Sequence, residues 1–147
     1  MTLKEQLLDD MKKAMKDGDK TKLSTIRMIR TAVLNAEKEK KDELSDAEVI
    51  DILVSSSKQR KEAMKAYETG GRSDLYEKEK AELDILSSYL PEQISEDEIK
   101  KRVVEIIKKT GASSMKDMGA VMKVLMTEMK GKAEGSLVNR IVKEALS

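Results

Sequence analysis

The chain has 147 residues, 39% apolar and 39% charged, and its 29 Lys and Arg against 28 Asp and Glu leave a net charge of +1. That length suits one ordinary domain or two small ones, and so even a balance argues against a protein whose main trade is non-specific polyanion binding. The absence of His and Cys excludes Ser-His-Asp and Cys-His centres, histidine-held metal and any disulfide framework.

Phe and Trp are also absent and only three Tyr occur, while Ala, Leu, Met, Glu and Lys are abundant. These residues lose least entropy in a helix, and the residues that favour strands are scarce. The expected fold is all-α. No apolar run approaches the roughly 20 residues that span a bilayer, and Met1-Thr2-Leu3-Lys4-Glu5 lacks the apolar core of a signal peptide. The expectation is a cytoplasmic location, with no membrane partner.

In chain order, a first helix begins near Thr2, carries Leu3, Leu7, Met11, Ala14 and Met15 on one face, and stops at Gly18. A second runs from about Thr21 to Lys40 with Leu23, Ile26, Ile29, Val33, Leu34 and Ala36 as its stripe, flanked by Arg27 and Arg30. Ser45-Asp46-Ala47-Glu48 is a capping box that opens a third helix, which runs out at Gly70-Gly71. Ser73 is expected to cap a fourth, carrying Leu75, Leu83, Leu86 and Leu90. Pro91, the only proline, should end it, because it lacks an N–H and disfavours helix at the residue before it.

Ser95-Glu96-Asp97-Glu98 reads as a second capping box, opening a fifth helix that closes at Gly111. Ser114 and Asp117 start a sixth, with Met115, Met118, Met122, Met126 and Met129 in a stripe. Such a stripe is more often core than an adaptable docking groove. After a loop at Gly131–Ser136, Leu137, Val138, Ile141, Val142 and Leu146 mark the last helix. The pattern divides the chain into an N-terminal helical domain, residues 1–91, built as a four-helix bundle or paired hairpins, and a three-helix tail, residues 92–147.

No motif completes a catalytic centre. Ser55/Lys58 and Ser113/Lys116 have the spacing of a Ser-x-x-Lys nucleophile without its companion motifs. Glu77, Glu79, Glu82 and Asp84 lack the histidine that bundle di-metal sites use, and the alternation Glu77-Lys78-Glu79-Lys80 reads as a solvated face, so no metal or other cofactor is expected. Binding is better served. In Lys130-Gly131-Lys132-Ala133-Glu134-Gly135-Ser136 two glycines allow close backbone approach, and a helix start behind them favours an anion. Lys130, Lys132, Asn139, Arg140 and Lys143 are the candidate RNA-binding residues, against the plainer reading of an inter-helix turn. A second basic patch is Lys58, Arg60 and Arg72, extended by Lys61 and Lys65 with Arg27 and Arg30 nearby. Ion pairing with the acids of the bundle competes with that reading.

Four stretches carry a resemblance: Gly71-Arg72-Ser73-Asp74-Leu75, Tyr89-Leu90-Pro91-Glu92-Gln93-Ile94-Ser95, Met118-Gly119-Ala120-Val121-Met122, and Gly131-Lys132-Ala133-Glu134-Gly135-Ser136-Leu137-Val138-Asn139. Together they resemble the YqeY family over essentially the whole chain. The C-terminal part also resembles the tail domain of the B subunit of the tRNA-dependent amidotransferase. The resemblance implies a helical N-terminal part, a three-helix tail and a link to glutamine-dependent carbon–nitrogen ligation, without that enzyme's catalytic cradle. The expected function is therefore a non-catalytic accessory module whose tail binds tRNA or structured RNA. From Pro91 onward 11 Lys and Arg face 9 Asp and Glu, an excess of the right sign but small. The alternative is a protein-interaction adaptor that docks on an aminoacyl-tRNA enzyme.

Overall fold

Helices start and stop where short polar side chains and glycines satisfy the backbone groups that a helix leaves open. In the computed structural model, which describes residues 1–147, α1 spans Leu3–Asp17, α2 Lys20–Lys40, α3 Asp46–Thr69, α4 Ser73–Ser87, α5 Glu96–Thr110, α6 Met118–Met129 and α7 Gly135–Leu146. There is no strand. Thr2 and Glu5 form a capping box at the head of α1, with bonds of 3.2 and 3.0 Å. Gly18 closes the helix at φ 71°, and Asp19 accepts from the Lys22 amide to open α2. Ser45 and Glu48 cap α3 in the same reciprocal way, at 3.3 and 3.2 Å.

Three local expectations need correcting. Ser73 is the first residue of α4, and Arg72 occupies the position before it without a side-chain cap. Its guanidinium instead chelates Asp74 at 3.2 and 3.1 Å, so an ion pair stands where a hydroxyl cap was expected. At α5 only the forward half of the capping box forms, with Ser95 Oγ accepting from the Glu98 amide at 3.2 Å. Glycine and serine at 135 and 136, read as loop, already belong to α7. The tail of α4 is also tighter than expected. The α-helix ends at Ser87, and Tyr89 and Leu90 continue as i→i+3 turns bonded to Leu86 and Ser87.

The chain forms two compact units, Met1–Leu90 and Pro91–Ser147. In the first, α1 and α2 make one antiparallel hairpin and α3 and α4 a second. Leu7, Ile26, Ile29, Val33, Val49, Leu53, Leu86 and Tyr89 form its core. Tyr89, which the sequence offered only as part of a joint, donates its hydroxyl to Asp10 at 2.6 Å. Burial and that carboxylate both push its ionisation well above the ordinary tyrosine range. The core covers only part of the α3–α4 hairpin. From Lys61 to Asp84 no residue is buried, so the far half of this hairpin stands as an arm whose two helices pack on each other, and Ile85 is where α4 rejoins the core.

The second unit closes a complete core from three helices, with Ile99, Val103, Ile106, Val121, Leu125, Met129, Val138, Ile141, Val142 and Leu146 buried together. The methionine stripe of α6 is mainly part of that packing: Met129 is buried, and Met118, Met122 and Met126 lie against the core. Before α6, Asp117 accepts from the Ser113 and Ser114 amides at 2.8 and 3.3 Å and fixes a 3-10 turn at Met115–Asp117. On the surface, Arg102 bridges α5 to α6 through both carboxylate oxygens of Glu128 and also reaches Glu105. The bond from Arg102 holds Glu128 below the usual carboxylate range, and Arg140 does the same to Glu96.

These two shifts set a pH dependence. A carboxylate whose pKa is lower folded than unfolded stabilises the fold above the unfolded value of 4.5. That contribution disappears as pH falls through the folded value. Thermal melts of the second unit should therefore weaken between about pH 5 and pH 3, and Glu128→Gln should flatten the dependence. A melting temperature that is flat in the wild type across that range would count against it.

Candidate nucleic-acid interface

α6 ends at Met129 because Gly131 turns the chain at φ 76°, a left-handed conformation that glycine adopts without strain. Lys132 and Ala133 both donate their amides to the Met129 carbonyl, at 2.8 and 3.1 Å. The outer side of this loop is held by the segment that precedes α5. Gln93 donates its side-chain amide to the Gly131 carbonyl at 2.7 Å and to the Pro91 carbonyl at 2.9 Å. Ile94 donates its backbone amide to the Lys132 carbonyl at 2.8 Å. Two of the four stretches that carried the family resemblance are thus bonded to one another. Sequence reasoning quoted Gln93 and Ile94 and gave them no part in the site.

Glu134 stands before α7 without giving a side-chain cap. The Leu137 and Val138 amides bond the Glu134 carbonyl, while those of Gly135 and Ser136 find no acceptor in the chain. Two open amides at the positive end of a helix suit an anion. Lys132 is exposed in the loop behind them, and Asn139 and Lys143, four residues apart on α7, are exposed on one side of the helix. Lys130 is exposed at the end of α6 and already has an interaction within the chain. Arg140 is different. It bonds Glu96 at 2.9 Å and Glu144 at 3.3 Å, and these carboxylates hold its charge firmly while neutralising it. The five candidates belong to one loop and the helix that follows it, with Arg140 pinned to the start of α5.

The second patch does not assemble. Arg60 is only 7% exposed and lies in the interior between helices. Its Nε is 3.4 Å from Glu82 of α4, and its Nη atoms reach the Ser56 carbonyl and Met28 Sδ. Its charge serves a buried ion pair, so it cannot join Lys58, which is exposed two residues earlier on another side of α3. Arg72 is committed to Asp74 at the other end of the α3–α4 hairpin. Nor do Arg27 and Arg30 extend the group. Arg30 reaches Met11 on α1, whereas the α2 residue that meets Arg60 is Met28, on another side of the helix.

No three carboxylates are grouped closely enough to hold a metal ion, and no helix is long and apolar enough to cross a membrane.

Comparison with known proteins adds kinship to this geometry. The family model described as Yqey-like protein matches residues 4–146. A Pyrenophora tritici-repentis protein named altered inheritance of mitochondria protein 41, mitochondrial, is 29% identical over 144 residues, which cover 96% of this chain and 79% of that one. Its namesake in Kluyveromyces lactis is 35% identical over 105 residues, 69% of this chain and 56% of the relative. A shorter match, 42% identical over 57 residues, is to a subunit of the glutamyl-tRNA(Gln) amidotransferase of Methanobrevibacter smithii, covering 36% of this chain and 9% of the relative. The cytoplasmic location expected from the sequence does not stand against relatives named as mitochondrial. Composition had no means of separating the two, since a charged surface of this kind suits any aqueous compartment.

Proposed function

The chain belongs to the Yqey-like protein family, and from that premise we propose that it is a non-catalytic accessory module whose second unit binds tRNA or another structured RNA. The observation that carries this reading is the stapled loop before α7. Gln93 and Ile94 hold its backbone, and the Gly135 and Ser136 amides are open beside Lys132, Asn139 and Lys143. A phosphate at that helix start would receive two backbone amides and one or two lysines. The partial match to an amidotransferase that is named for its tRNA supports the same reading. Base stacking plays little part, because the unit from Pro91 onward has no aromatic residue. Recognition rests on phosphate and shape.

The test is tRNA affinity measured against salt. Wild type should weaken steeply as salt rises. Lys132→Glu with Lys143→Glu should weaken binding and reduce the salt slope by about one for each lysine that had met a phosphate. Arg140→Glu alone should do less to the slope, because its charge is already shared with Glu96 and Glu144. Binding no stronger than that of serum albumin would end the proposal. The exposure of Met115 just before α6, at 43%, favours a second reading, an adaptor that docks on an aminoacyl-tRNA enzyme. Recovery of one stoichiometric protein without RNA, lost on Met115→Lys, would favour it.

A further inference from the structure

The first unit has a seam that its own core uses only at Met11, which packs against the core while staying partly exposed. Lys4 meets Glu37 and Met11 meets Arg30, which sets the antiparallel register of α1 against α2. Ile26, Ile29 and Val33 of α2 point into the core. One step round the helix, Leu23, Arg27, Arg30 and Leu34 follow the four-three-four spacing of a coiled-coil seam. Facing them, Lys4, Leu8, Met11 and Met15 of α1 repeat that spacing. None of these eight side chains is buried, and Met15 and Leu34 are 53% and 49% exposed. Between the two rows lies a mainly apolar cleft of about 180 Å³, with Leu8, Val33, Leu34 and Arg30 among its walls.

The charges along this seam are unevenly matched. Lys4 is paired with Glu37 at 2.6 Å, and Glu5 at the mouth is held by the Thr2 amide. Arg30 has only the Met11 thioether, at 3.2 Å, and neither it nor Arg27 pairs with a carboxylate. From Lys20 to Ala36, α2 carries no acidic residue. Half-buried arginine beside an apolar cleft, with no acid of its own chain, is complementary to an apolar side chain flanked by carboxylates.

The geometry points to a docking groove between α1 and α2 for an amphipathic helix of another protein, one that sets a leucine-sized side chain into the cleft and acidic residues against Arg27 and Arg30. The seam from Leu23 to Leu34 is about 16 Å long at helical rise, enough for three turns of a partner helix. This surface lies in the unit that the RNA reading does not use, so either proposal can fail without the other.

A photoreactive benzoylphenylalanine placed at Leu34 of the full chain in cells tests it, with the adduct sequenced by mass spectrometry. The crosslinked segment is then made as a synthetic peptide and titrated against wild type and an Arg27→Glu, Arg30→Glu variant, whose fold is checked by circular dichroism. The expected adduct is a segment with apolar residues at three- and four-residue spacing and Asp or Glu beside them. Its affinity should fall at least about tenfold in the variant. No adduct, an adduct with RNA or with a second copy of this chain, a basic segment, or an affinity unmoved by charge reversal would each overturn it. Should the double variant unfold, Leu34→Lys read in the same titration keeps the test decisive.

Discussion

Leu125→Ala is expected to unfold the second unit at room temperature and leave the first folded. Leu125 is fully buried at the centre of a core made from only three helices. Removing most of a buried leucine costs about 2–5 kcal/mol, from the lost transfer energy and the cavity left behind. A single core in a unit below about 70 residues seldom supplies more than about 3–5 kcal/mol in all. The substitution therefore removes most or all of the margin. The units have separate cores, so the loss should be confined. Two-dimensional amide spectra should keep the resonances of Met1–Leu90 and collapse those of Pro91–Ser147. RNA binding should vanish with them, even at low salt. A single cooperative melt with every resonance lost together would show that the two cores are energetically coupled.

The second large effect concerns Arg60 and Glu82. Their side chains are 9% and 13% exposed, so each charge depends on the other for compensation. Glu82→Ala would leave a buried guanidinium without its carboxylate, at a cost of about 3 kcal/mol measured by urea unfolding. The double change Arg60→Met with Glu82→Leu should recover most of that, because a buried ion pair often does no better than well-packed apolar side chains. Neither variant should alter RNA affinity while folded. An Arg60→Met protein that folds and yet loses RNA would return that arginine to a binding role.

This pair also shows what the sequence could and could not disclose. Helix boundaries were legible at Thr2, Gly18, Ser45 and Gly111, where a cap or a left-handed glycine depends on near neighbours alone. Arg60 was not, because its fate is decided by Met28 and Glu82, residues far away in the chain. Nothing local separates an arginine that turns inward from one that faces water. Tyr89 was missed for a like reason, since the Asp10 carboxylate that accepts its hydroxyl comes from α1. Ser73 lost its capping role to an ion pair that the Arg-Ser-Asp order permits but does not require. In the candidate interface the loop was legible from its glycines and lysines. The clamp from Gln93 and Ile94 was not, because it joins segments nearly forty residues apart. Spacing alone puts Leu34 and Met15 on the apolar faces of their helices and does not say whether those faces are covered. Their exposure is what revealed the groove.

The arm formed by the outer half of α3 and α4 has a consequence for how the chain can be rewired. From Lys61 to Asp84 none of its residues is buried, and its tip is the Gly70-Gly71 turn. A break or an insertion at that tip would leave the buried residues of the first unit's core untouched. The tip is thus the natural place to insert a reporter domain without disturbing the α1–α2 groove.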